Sequence, residues 1–168
     1  MTQPIQGPVG DPALNAAVDP RKLTVEQWRS LLDPLEFAIL RESATERPGT
    51  GRYLEDPGPG AFHCAGCGHK LYGAGHKFHS GCGWPSFFEE VEPGALEIHR
   101  DVSHFMVRTE MRCARCGGHM GHIFDDGPRD AAGKRRNRHC VNGFAIVYVP
   151  EGASVAEAFT AHRRKRAT

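Results

Sequence analysis

The chain has 168 residues, a formal net charge of +1, and 39% hydrophobic and 24% charged residues. That length suits one domain with a core of its own, and the near-neutral balance calls for neither nucleic acid nor a membrane surface. The longest apolar run, Phe144 to Val149, is far too short to span a bilayer.

In chain order, Met1 to Arg21 is rich in Gly, Pro and Ala, has little to bury, and reads as a mobile tail. It has no basic start followed by an apolar stretch, so no secretory signal is expected. Thr24 with Gln27 forms a capping-box pattern, after which Val25, Trp28, Leu31 and Leu32 make one helical stripe. Asp33-Pro34 reads as an N-cap and first helical proline, with Leu35, Ala38 and Ile39 as the buried side, and Arg47-Pro48-Gly49-Thr50-Gly51 ends that helix.

From Tyr53 onward glycine and proline recur every few residues and the apolar segments shorten. His104 to Arg112 alternates, which points Phe105, Val107, Thr109 and Met111 inward and His104, Arg108, Glu110 and Arg112 outward. Arg136 to Tyr148 predicts a strand whose second half carries Cys140, Asn142, Phe144, Ile146 and Tyr148 on one face. Beyond Ala145 it is apolar on both faces, suiting a central position, and Pro150 stops it. Ser154 and Glu157 cap a last short helix before a basic tail. The expected fold is therefore mainly β, antiparallel, with short N-terminal helices. The expected domains are a tail over 1–21, a folded domain over 22–150, and a helix with a basic tail over 151–168.

The sharpest signal is a pair of C-x-x-C-G knuckles, Cys64-Ala65-Gly66-Cys67-Gly68 and Cys113-Ala114-Arg115-Cys116-Gly117. Each holds two thiols on a tight turn, and together they make the closed four-thiolate set of a structural zinc site. Redox chemistry within one C-x-x-C would need a strand-to-helix βαβ setting, which the sequence lacks. Zinc would pin two distant hairpins together, worth on the order of 10 kcal/mol in small zinc domains. Metal and thiol chemistry without an export signal predict a reducing compartment, the cytoplasm.

Two cysteines remain. Cys140 lies near Arg138, and a fixed cation favours a thiolate, although a lone cysteine also packs as a small apolar residue. Cys82 lies in the turn Ser80-Gly81-Cys82-Gly83-Trp84-Pro85-Ser86-Phe87, so the two would form a catalytic and resolving pair if the fold joins them. Trp84 is a flat apolar wall or a core residue. In Gly118-His119-Met120-Gly121-His122-Ile123-Phe124-Asp125-Asp126 a plain strand would turn the two histidines to opposite faces, but a bulge at Gly121 lets both face inward.

These stretches, with Thr45-Glu46-Arg47-Pro48, Gly127-Pro128 and Arg138-His139-Cys140-Val141-Asn142, resemble the methionine sulfoxide reductase B family from about Leu23 to Pro150. The resemblance implies two antiparallel sheets and reduction of the R epimer of methionine sulfoxide, free or in peptides. It implies Cys140 as nucleophile, Cys82 as the resolving thiol, thioredoxin as reductant and oxidised proteins or peptides as substrates. It places the acid on His119, substrate contacts on Trp84, His122, Arg138 and Asn142, and structural zinc on Cys64, Cys67, Cys113 and Cys116. A monomer is expected, with no nucleic-acid or membrane partner. His139 departs from the family's frequent aromatic, Gly49 likewise, and Asp130 to Arg136 looks like an enlarged basic loop. Two rival classes are a nucleic-acid-binding zinc ribbon, from Lys134-Arg135-Arg136 and His162-Arg163-Arg164-Lys165-Arg166, and a zinc hydrolase. The first lacks a stacking platform, and a four-cysteine site leaves the second no open metal position.

Overall fold

A computed structural model describes residues 10–166. Its nine strands are β1 (Gly60–Cys64), β2 (Lys70–Gly73), β3 (Lys77–Phe78), β4 (Ser86–Phe87), β5 (Leu96–Asp101), β6 (Arg108–Cys113), β7 (His119–Phe124), β8 (Arg138–Val141) and β9 (Ile146–Pro150). They form two antiparallel sheets, ordered β2-β1-β9 and β3-β4-β8-β7-β6-β5. The mainly β expectation with two antiparallel sheets holds.

The sheets meet through aromatic side chains. Phe87 of β4 stacks on Tyr72 of β2 at 4.1 Å and meets the edge of Phe62 of β1 at 5.1 Å. All three rings are fully buried. Burying each contributes roughly 1.5–3 kcal/mol, so this cluster fixes the angle at which the larger sheet presents its outer face.

The N-terminal helices are α1 (Val25–Leu31) and α2 (Pro34–Glu42), each opened by a reciprocal capping box, Thr24 with Gln27 and Asp33 with Glu36. Trp28, Leu31, Leu32, Phe37, Ile39 and Leu40 are buried, whereas Val25 and Leu35 are exposed. The second helix ends at a left-handed Ser43, before Arg47.

Several sequence expectations are corrected. The predicted strand over 136–148 is two strands in different sheets, β8 and β9, separated by a 3-10 turn at Gly143–Ala145. A Cβ on Gly143 would lie 2.2 Å from the Arg52 carbonyl oxygen, so the chain turns where it touches another backbone. The alternation continues through the break because both halves face the same core. Strand β9 is covered by α3 (Val155–Arg166), whose Phe159 is fully buried, but it pairs only with β1 and is an edge rather than a centre. In the segment 104–112, strand β6 begins only at Arg108. Phe105 and Val107 are exposed, Thr109 is exposed, and Glu110 is buried.

The ends of the chain are less loose than expected. Residues 10–21 of the predicted tail are docked, and the rest of it lies outside the described residues. Pro12 and Pro20 are buried, and Arg115 donates to the Pro12 and Val18 carbonyls. The C-terminal helix extends through the basic run. Its Arg163 pairs with Asp11 and donates to the Ala65 and Gly66 carbonyls, so that cation holds the first knuckle instead of facing a partner. Among the described residues no helix is long and apolar enough to cross a membrane.

Candidate active site

The two knuckles are the turns of the β1–β2 and β6–β7 hairpins, one from each sheet. Each closes the same way: Cys64 N–H donates to the His69 carbonyl and Cys113 N–H to the Gly118 carbonyl, both at 2.8 Å. The four sulfurs lie within 4.8 Å of one another and all four cysteines are buried. The cross-knuckle pairs Cys64–Cys116 and Cys67–Cys113 stand at 3.6 and 3.5 Å. A tetrahedron with Zn–S bonds of ~2.3 Å has edges of ~3.8 Å, so the set fits a four-thiolate metal centre. Burial pushes the Cys64 thiol well above its ordinary value, and the neighbouring thiols add to it. Four thiolates packed there need a dication to share their charge. Trp28 and Leu40 cover the Gly66 turn, and Arg41 donates to the Cys116 carbonyl.

The second thiol cluster lies on the larger sheet. Register pairs Ser86 of β4 with Cys140 of β8, and Val141 N–H donates to the Pro85 carbonyl. Cys82, on the turn just before β4, is thereby brought to 3.7 Å from Cys140, sulfur to sulfur. Ser80 Oγ donates to Cys82 Sγ at 3.0 Å, and Ser86 Oγ lies 3.5 Å from it. Burial opposes ionisation of Cys82, but these hydroxyls outweigh it and bring its pKa down to about 7. Cys140 goes the other way, to about 12, through burial and the charge on Cys82, with Arg138 opposing. Cys82 is therefore the first of the pair to ionise, and at Cys140 the Arg138 cation does not outweigh burial and the neighbouring sulfur. Arg138 is partly neutralised by Asp126, Nε to Oδ1 at 2.8 Å.

Both sulfurs open into a cavity of about 260 Å³, also lined by Thr45, Trp84, Arg108, His122, Phe124, Arg138 and Asn142. It is below the roughly 300–1,000 Å³ of drug-sized sites and matches a single side chain. Trp84 and Phe124 make its apolar walls, with the Arg138 guanidinium 4.4 Å above the Phe124 ring. Trp84 is held by its indole N–H on the Glu46 carbonyl at 3.1 Å.

The two histidines do come together, with ring centroids 5.5 Å apart. The register slips opposite Met120, so His119 pairs with Arg112 and Gly121 with Met111. A Cβ on Gly121 would lie 1.9 Å from the Cys140 carbonyl oxygen, so only glycine lets β7 approach β8 there. His122 lines the cavity and bonds Asp101 at 2.8 Å; His119 stands behind it, Nδ1 to Glu110 Oε2 at 2.6 Å. Burial lowers the pKa of His119, while Arg112 and His119 overcome burial and keep Glu110 ionised. His119 is thus a neutral ring whose Nδ1 proton is fixed on Glu110, and its Nε2 has no partner among the described residues. Asn142 lines the cavity, but its side chain is engaged by Glu46 N–H and the Met120 carbonyl.

Sequence reasoning missed the carboxylates and one cation of this site. Arg108 of the cavity wall pairs with Asp101 at 3.3 Å, and Ser103 and His122 hold Asp101 well below the usual carboxylate range. Strand alternation had put Arg108 and Glu110 on the solvent side. Glu46, in the motif Thr45-Glu46-Arg47-Pro48, is buried and accepts from Phe144 N–H. Its only signal was that motif.

Residues 32–150 match the SelR domain family. The chain is 50% identical over 123 residues to a peptide methionine sulfoxide reductase MsrB of Agrobacterium fabrum, covering 73% of this chain and 88% of that relative. It is 48% identical over 126 residues to the protein of that name in Bradyrhizobium diazoefficiens, with 75% and 88% covered. Against peptide methionine sulfoxide reductase 2 of Saccharomyces cerevisiae it is 47% identical over 122 residues, with 71% and 73% covered.

Proposed function

The chain belongs to the SelR domain family of MsrB-type methionine sulfoxide reductases, and from that premise we propose that it reduces peptide-bound methionine-R-sulfoxide through Cys140. The observation that carries this reading is one sulfur pair, 3.7 Å apart, in a side-chain-sized cavity with an indole on one wall and an imidazole on another.

A sulfoxide is apolar on its methyl side and a strong acceptor at oxygen. With the methyl on Trp84 and the oxygen toward His122, only one epimer aims its sulfur at Cys140. Cys140 gives up its proton and attacks sulfur while an acid protonates the oxygen, help worth ~10²–10⁴-fold. His122 reaches the cavity and is oriented by Asp101, so it is the imidazole suited to hand over that proton; His119, to which the resemblance gave the acid role, is held on Glu110 and packs against the His122 ring. The protonated oxygen then passes from the methionine sulfur to the Cys140 sulfur as the bond between the two sulfurs breaks, so methionine leaves and Cys140 is left as a sulfenic acid. Cys82 then displaces water to form the disulfide, which a dithiol reductant of the thioredoxin class reduces by exchange. Arg138 favours negative charge on Cys140, and Asn142 acts by holding Glu46, and so Trp84, in place.

Cys64, Cys67, Cys113 and Cys116 would hold a structural zinc ion, which supplies cohesion between the hairpins and no chemistry at the cavity. The test is a pair of variants. Cys140→Ser should form no methionine. Cys82→Ser should form one equivalent per enzyme and then stop with thioredoxin; sustained thioredoxin-driven cycling by Cys82→Ser would remove Cys82 from the resolving role.

A further inference from the structure

Among the described residues, the loop of residues 102–107 between β5 and β6 exposes a cluster of apolar side chains. Val102 is 63% exposed, Phe105 109%, Met106 49% and Val107 66%. His104 and Phe105 are both left-handed, with φ of 56° and 59°. Two successive non-glycine residues in that region are sparsely populated, and such strain persists where it serves a purpose. Here it turns a phenylalanine ring away from the body of the protein.

Both ends of the loop are tied to the cavity, one directly and one through His122. Asp101 bonds His122 at 2.8 Å, and Ser103 N–H donates back to Asp101. Arg108 lines the cavity, and its buried Nε has no partner among the described residues. Arg108 follows Val107 directly, so the exposed strip runs into a residue that lines the cavity where a methionine side chain would enter. We propose that residues 102–107, together with Arg108, form a docking collar for the polypeptide around the oxidised methionine. Its apolar side chains receive apolar neighbours of that methionine, and the Arg108 guanidinium faces a main-chain carbonyl. This rests on the reading of the cavity as a sulfoxide site.

The test compares three R-sulfoxide substrates: N-acetyl-methionine, a peptide with Leu and Phe beside the methionine, and one with Ser and Gly there. The wild-type protein should favour the apolar peptide in kcat/KM. The variant Val102→Ser/Phe105→Asn, in which asparagine accepts the left-handed position, should lower the ratio of apolar to polar peptide roughly tenfold. An equal effect on all three substrates, or no wild-type preference between the peptides, overturns the collar. So does a wild-type dimer in sedimentation that the variant loses, which would assign the strip to a second copy. Failure of the wild-type protein to reduce N-acetyl-methionine-R-sulfoxide would instead overturn the sulfoxide site itself.

Discussion

Placing the first charge of the thiol pair on Cys82 makes a quantitative prediction about alkylation. With Cys82 near 7 and Cys140 near 12, about half of Cys82 but only about one Cys140 in 10⁵ is thiolate at pH 7. A thiolate of higher pKa is the stronger nucleophile, with a Brønsted slope of ~0.4–0.5, which leaves Cys82 ahead by about 10²–10³ in rate. Both residues are half-buried, so access does not decide the order. The reduced protein is treated with limiting iodoacetamide across a pH series, and the labelled peptides are quantified by mass spectrometry. Cys82 should label first, with a midpoint near pH 7. In Cys82→Ser the neighbouring charge is gone while Arg138 remains, so the Cys140 midpoint should fall below its wild-type position. That is how the single-cysteine form can still attack substrate. Rapid labelling of Cys140 at pH 7 in the wild type, with Cys82 inert, would refute the electrostatic reasoning.

Metal analysis should find one zinc per chain, and Cys113→Ser should unfold at far lower urea concentration, since such sites contribute on the order of 10 kcal/mol; an unshifted midpoint would contradict a bracing role. His139 is buried against the Tyr72 hydroxyl at 2.9 Å, and burial lowers its pKa to about 4. Between pH 6.5 and about 4 the unfolded chain takes up a proton that the folded one refuses. Stability is therefore lost as the pH is lowered across that window, by up to about 3 kcal/mol. His139→Phe should flatten this part of the urea-midpoint profile, and an unchanged slope would rule His139 out as its source.

The features that announced themselves in the sequence are those with fixed local spacing. The Thr24–Gln27 capping box, the Asp33 N-cap, the knuckle pairs and the turn before β4 are short-range patterns that local sterics enforce. The parts that did not show depend on contacts between distant segments. The Asn142-Gly143 dipeptide is a turn signal that the apolar alternation masked, and the tight turn is required where Gly143 meets the backbone of Arg52, 91 residues away. Glu110 reads as a solvent-facing charge until the bulged strand brings His119 against it. Phe105 and Val107 read as core because they alternate, yet the strand that would bury them begins after them. Within the site, the cysteines and histidines were legible by type and motif. The carboxylates that orient them, Asp101 and Glu110, were not, since an alternating strand assigns such residues to water.

The central claim, that one sulfur in an indole-walled cavity takes oxygen from one sulfoxide epimer, is tested most directly with separated R and S sulfoxides of N-acetyl-methionine. The account predicts consumption of the R compound by the wild-type protein, none of the S compound, and neither by Cys140→Ser. Equal consumption of both epimers, or R turnover that survives Cys140→Ser, would contradict it.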